Sequence, residues 1–130
     1  MIAVDTNVVV RFLARDDPAQ SPRAKALMEA GSVFVLRTVV LETEWVLRTT
    51  YGFDRAAIAD AVTKLLGLPG VEVEEMAMVA QALARYGNGL DFADALHLAS
   101  SGRAQSFATL DRDLQRNARA IPGRVPVVRP

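Results

Sequence analysis

The chain has 130 residues, 51% hydrophobic and 23% charged, with no cysteine and with fifteen basic side chains against fifteen acidic ones. These proportions exclude a disordered or fibrous protein, and the lack of cysteine excludes disulfides, thiolate metal sites and cysteine nucleophiles while fitting a reducing compartment. The zero charge sum gives no general affinity for nucleic acid, so a basic surface would have to be local.

The length predicts a single domain over residues 1–130. MIAVDTNVVVRFL (1–13) has neither the basic flank of a secretory signal nor the apolar length of a membrane span. A soluble cytoplasmic domain is the expectation.

In chain order, IAVD (2–5) is an apolar run that ends on a carboxylate and suits a buried strand. Residues 7–17 place Val9, Phe12 and Leu13 at helical spacing, which favours a helix despite the β-branched run. SPRAKALMEAG (21–31) predicts a helix with Ser21 as cap, Pro22 at its first position and Gly31 after its end. VFVL (33–36) is a strand, 38–52 a helix opened by Thr38 and closed by Gly52, and 54–67 a helix capped by Asp54.

VEV (71–73) reads as a strand, followed by a helix over 75–86 that GNG ends. Asp91 caps a helix over 92–101 closed by Gly102. SFATL (106–110) is a strand, 111–118 a short helix, and VPVV (125–128) a last edge strand. Strands alternating with helices predict the α/β class, with a central, mostly parallel sheet and helices on both faces.

In such sheets chemistry collects beyond the carboxyl ends of the strands. Asp5 follows the first strand and Asp111 follows SFATL, so both are expected at one edge of one sheet. An aspartate there is also an ordinary helix cap, worth about 1 kcal/mol, and both readings stand. Glu42 has Val39, Trp45 and Val46 as its helical neighbours, so it is expected on an apolar face without a cation. Glu44, with Arg48 four residues on, reads as a solvated pair. Asp91 is served by capping, whereas Asp94 looks onto alanine and leucine. Asp16, Asp17, Asp54, Asp60 and Asp113 read as turn, cap or surface residues.

There remain Asp5, Glu42, Asp94 and Asp111, with Asp91 beside them. Carboxylates brought together without lysine need a cation, and oxygen donors on rigid elements suit Mg²⁺ or Mn²⁺. Such an ion lowers the pKa of a bound water and shields a phosphate, which is the equipment of phosphodiester hydrolysis.

MIAVDTNVVVRFL, VVLETEWVLRTTYG, DFADALHLA and FATLDRDL, in this order, resemble the PIN domains, and especially the VapC-type ribonuclease toxins of bacterial toxin–antitoxin pairs. The resemblance runs from residue 1 to about 128. It implies that Asp5, Glu42, Asp94 and Asp111 are the catalytic metal ligands, with Thr6, Asn7, Asp91 and Thr109 in support. It further implies a homodimer and a small antitoxin whose tail covers the acidic site.

The expected reaction is endonucleolytic cleavage of RNA by metal-activated water, with Thr6 or Thr109 orienting ligands and Asp91 or Glu42 assisting deprotonation. No nucleophile–base pair points to a covalent intermediate. Arg11, Arg15, Arg112 and Arg116 are candidates for phosphate contacts, each with a solvated surface role as its alternative. His97 reads as a helix-packing residue beside Leu96 and Leu98. Trp45, Leu41 and Val46 read as core instead of a base-stacking platform. Val9, Phe12 and Leu13, where exposed, would suit a dimer or antitoxin groove.

Alternatives are a housekeeping nuclease of RNA processing and a module that binds RNA or a partner without cutting. A receiver-type phosphoacceptor domain also gathers aspartates at strand ends. It would need a lysine near the last strands, and the chain has only Lys25 and Lys64.

Overall fold

Short valine-rich runs build two parallel ladders in this computed structural model, which describes residues 1–130. Two compact units are formed, Met1–Met76 and Ala77–Pro130. The α/β class expected from the alternation of elements is what the chain forms.

The first unit runs β1 (Ile2–Ala3), α1 (Thr6–Ala14), α2 (Gln20–Glu29), β2 (Val33–Val35), α3 (Arg37–Thr49), α4 (Arg55–Leu66) and β3 (Val71–Val73). Its sheet has the order β1–β2–β3 and is parallel throughout, with Ile2 opposite Val33 and Val35 opposite Val73. The β-branched Val33, Val35, Val71 and Val73 are buried, as parallel strands require. β1 is an edge strand, so Ile2 and Ala3 are exposed and only Val4 is buried, against the wholly buried strand expected of residues 2–5. The turn into β3 uses Gly70 at φ +75°, where a methyl group would strike the backbone of Gly31.

Helix α1 begins one residue earlier than expected because Asp5 caps it, and it ends where Arg15 turns left-handed at φ 53°. It packs on α2 and α3. Val9 and Phe12 are buried and belong to the interior, and Leu13 is half-buried. Ser21 is not the cap of α2. Asp17 Oδ1 accepts from the backbone N–H groups of Ala19 and Gln20, while Ser21 Oγ accepts from Asp17 N–H. Thr38 is not the cap of α3 either. The helix starts after Leu36, and the Arg37 N–H donates to Glu74 Oε1 at 3.0 Å, a cap supplied by the residue after β3. Asp54 caps α4 as expected, accepting from Ala57 N–H.

The second unit takes up α5 (Met76–Gly87) from Ala77 and continues through α6 (Phe92–Ala99), β4 (Phe107–Ala108), α7 (Arg112–Ala118) and β5 (Val127–Val128). Tyr86 and Phe92 are buried and meet edge-on, with ring centroids 5.4 Å apart. The strand expected at 106–110 is not a member of the first sheet. It pairs in parallel with β5, and Phe107 and Thr109 donate to the carbonyls of Pro126 and Val128. Asp5 and Asp111 thus follow strands of different ladders. No helix is long and apolar enough to cross a membrane.

Candidate functional site

In the first unit, parallel pairing brings the carboxyl ends of β1 and β2 to one edge of the sheet. Asp5 stands two residues after β1, and Glu42 lies in the second turn of the helix that follows β2. Both line a pocket of about 370 Å³ together with Thr6, Asn7, Arg11 and Tyr51. The Thr6 N–H donates to Asp5 Oδ1 at 2.8 Å, which fixes the carboxylate by one oxygen and leaves the other unengaged. Thr6 Oγ1 is buried and has no hydrogen-bond partner. An unpaired buried hydroxyl costs about 1–3 kcal/mol, so this corner of the pocket favours an added polar ligand or water.

Glu42 reaches this pocket from the exposed side of α3, not from an inward apolar face as expected. The buried stripe of α3 is Val39, Val40, Thr43, Glu44 and Leu47. Glu44 is therefore the inward carboxylate, only 3% exposed, and it accepts a 2.8 Å hydrogen bond from Arg48 Nε. The solvated pair expected of Glu44 is corrected on its own side, since only Arg48 remains in water. Trp45 is 55% exposed rather than core, while Leu41 and Val46 are half-buried.

Arg11 does not stand open to a phosphate. Its Nη1 donates to Tyr51 Oη at 2.8 Å and pairs with Asp16 at 3.1 Å, and its Nε donates to Gln20 at 2.8 Å. Tyr51 went unread in the sequence because nothing local ties it to Arg11, forty residues away. Arg15 is exposed.

In the second unit, Asp91 caps α6 by accepting from Asp94 N–H at 3.1 Å. Asp94 sits half-buried in the first turn. Burial raises its pKa above the ordinary aspartate value, the negative charges of Asp91 and Asp111 raise it further, and His97 opposes them. The surroundings of Asp94 therefore oppose its ionised form. Asp111 caps α7 through Oδ1, which accepts from Asp113 and Leu114 N–H, and its own N–H donates to Thr109 Oγ1 at 3.0 Å. Capping and an available carboxylate oxygen thus coexist at Asp111, as they do at Asp5. His97 is exposed and does not pack the helix as expected, because Leu96 and Leu98 take the inward positions. Arg112 is exposed, and Arg116 is paired at 2.7 Å with an exposed Asp113.

No group of three or more acidic or histidine side chains lies close enough together to hold a metal ion. The donors come as Asp5 with Glu42 on one pocket and as Asp94 within electrostatic range of Asp91 and Asp111. Such donors fit Mg²⁺ or Mn²⁺: they are hard oxygens, and Mg²⁺ keeps several waters and uses only one or two carboxylates at a time. The unpaired Thr6 hydroxyl beside Asp5 suits the same hydrated ion.

The PIN domain family matches the chain over residues 2–120, and the chain belongs to that family. PIN domains are generally nucleases, and those nucleases typically use divalent metals. No curated protein matches the chain.

Proposed function

We propose that this PIN domain is a divalent-metal-dependent endoribonuclease and the toxin of a toxin–antitoxin pair. The observation that carries the nuclease reading is the pocket on which Asp5 and Glu42 stand beside the buried, unpaired Thr6 hydroxyl. The order of the four acidic motifs along the chain supports the toxin assignment.

Asp5, Glu42, Asp94 and Asp111 are the proposed ligands of Mg²⁺ or Mn²⁺. When bound, the cation lowers the pKa of water and offsets charge on the scissile phosphate. The chain's own residues orient and hold. The Thr6 N–H fixes the Asp5 carboxylate, and the Asp113 and Leu114 N–H groups fix that of Asp111, so neither must be ordered when substrate arrives. Thr6 Oγ1 is free to orient a water at Asp5. Glu42, exposed at the pocket rim, is the carboxylate that accepts the proton, and Asp91 positions Asp94. Asn7 lines the same pocket and offers its amide to a substrate oxygen.

Arg15 and Arg112 are the phosphate contacts this reading retains, and exposed Trp45, one turn beyond Glu42, offers a face on which a base stacks. The acidic pocket suits a basic side chain from a small antitoxin, and a homodimer belongs to the same proposal.

The test is induced expression of the wild-type chain and of Asp5→Asn, with growth followed and RNA ends mapped. Growth arrest and new RNA ends with the wild type alone are expected. Equal arrest by both, or no new ends, removes the nuclease. Cleavage without arrest removes the toxin and leaves a housekeeping nuclease.

A further inference from the structure

Arg85, in the last turn of α5, is only 8% exposed, and its Nη1 is buried without a hydrogen-bond partner. The end of a helix favours a cation, but dipole attraction does not replace an acceptor for a buried N–H. Burial lowers the pKa of this guanidinium, and the nearby positive charge of Arg124 lowers it further. Arg124 is anchored, its Nε donating to the Ala118 carbonyl and its Nη1 to that of Val125 at 3.1 Å. Two guanidinium groups are thus held within repulsive range in a unit that supplies Arg85 with no counter-charge.

Arg85 also lines a pocket of about 540 Å³ formed by the end of α5, α7 and the segment after α7. Arg116, Asn88 and Asn117 share its wall with the apolar Leu90 and Ile121, and no carboxylate lines it. In a chain with fifteen acidic residues, that exclusion leaves the pocket cationic in a molecule of zero net charge.

We propose that this pocket binds a phosphomonoester of about nucleotide size, with Arg85 as its anchor. A guanidinium fork matches phosphate geometry, and a dianion answers Arg85 and Arg116, the two guanidiniums on the wall, better than a single carboxylate does. The volume lies in the range of small-molecule sites, which run from about 300 to 1,000 Å³, and exceeds what a lone ion fills. The two asparagine amides supply hydrogen bonds for the body of the ligand, and Leu90 and Ile121 supply apolar walls for a flat ring. This site shares no residue with those proposed for cleavage, since its Arg116 is not among the phosphate contacts retained there, and it does not depend on the nuclease reading.

The test is thermal unfolding of the full chain in chloride buffer with EDTA, so that no cation bridges a nucleotide to the acidic residues. The probes are AMP, inorganic phosphate, adenosine and succinate at matched ionic strength. AMP is expected to raise the melting temperature saturably, phosphate to raise it less, and adenosine not at all. Arg85→Met is expected to weaken AMP at least tenfold while melting no lower than the wild type without ligand, since it removes an uncompensated buried charge. Asn117→Asp, at an exposed position, puts a carboxylate into the pocket and should abolish the AMP shift, which keeps the test decisive if Arg85→Met does not fold. No saturable shift with AMP or phosphate, or a shift undiminished in both variants, overturns the site. A succinate shift equal to that of AMP overturns the phosphate assignment.

Discussion

Glu44 and Arg48 are joined by a 2.8 Å hydrogen bond one turn apart on α3, with the carboxylate buried and the guanidinium half in water. Glu42, two residues before Glu44, faces outward into the acidic pocket. Glu44→Gln should therefore destabilise the protein by about 1–3 kcal/mol, because it removes a charge-assisted bond at a buried atom. Glu42→Gln should stay within about 0.5 kcal/mol of the wild type, as exposed substitutions do, yet abolish RNA cleavage. Urea unfolding and a cleavage assay on both variants check the reversal. Equal stability losses would mean that burial on this helix is assigned to the wrong carboxylate.

Asp111 both caps α7 and is proposed to bind metal, and two substitutions separate the roles. Asn retains the capping oxygen and loses the charge, so Asp111→Asn should hold stability within a few tenths of a kcal/mol and still eliminate cleavage. Asp111→Ala should do the same to cleavage and cost about 1 kcal/mol in addition. If Asp111→Asn cleaves RNA at the wild-type rate, Asp111 is a cap and nothing more.

Burial and two neighbouring carboxylates, Asp91 and Asp111, raise the pKa of Asp94 and so oppose its negative charge. Removing that charge should relieve the repulsion. In EDTA, Asp94→Asn is expected to melt at a higher temperature than the wild type. Mg²⁺ should raise the melting temperature of the wild type and not that of the variant. A lower melting temperature for Asp94→Asn in EDTA would show that the carboxylate is compensated within the fold.

Glu74 has its pKa lowered below the ordinary 4.5, first by the Arg37 backbone N–H and then by the Arg37 side chain, with burial opposing. A depressed folded value means that the carboxylate stabilises the protein fully above the ordinary pKa. That contribution is lost as pH falls through the folded value. Glu74→Gln should reduce stability at pH 7 and flatten the acid side of the stability profile below about pH 4.5. Parallel profiles for variant and wild type would exclude Glu74 as the cap of α3.

The helices were legible in the sequence because their signals are local. Periodic apolar residues, capping aspartates at 5, 54, 91 and 111 and breaking glycines all act within a turn or two of the residue they influence. Arg85 was missed, although a local signal existed: it follows Ala82 by three on the stripe that carries Val79, Leu83 and Tyr86 into the interior. An arginine on such a stripe needs a buried acceptor or a ligand.

By itself, then, the sequence determined the α/β class, nearly every helix and the identity of the family. It also singled out Asp5, Glu42, Asp94 and Asp111 as candidates, because a carboxylate without a basic partner on its own helix face is a local signal. Only the tertiary structure decided which of Glu42 and Glu44 is buried, since two apolar stripes compete on α3 and the choice falls to the helices packed against it, α1 and α4. Only it decided that β4 pairs with β5 and that Glu74, thirty-seven residues away, caps α3. Only it left the Thr6 hydroxyl and Arg85 Nη1 buried without partners. These are relations between segments distant in sequence, and periodicity and capping carry no information beyond their own helix or strand.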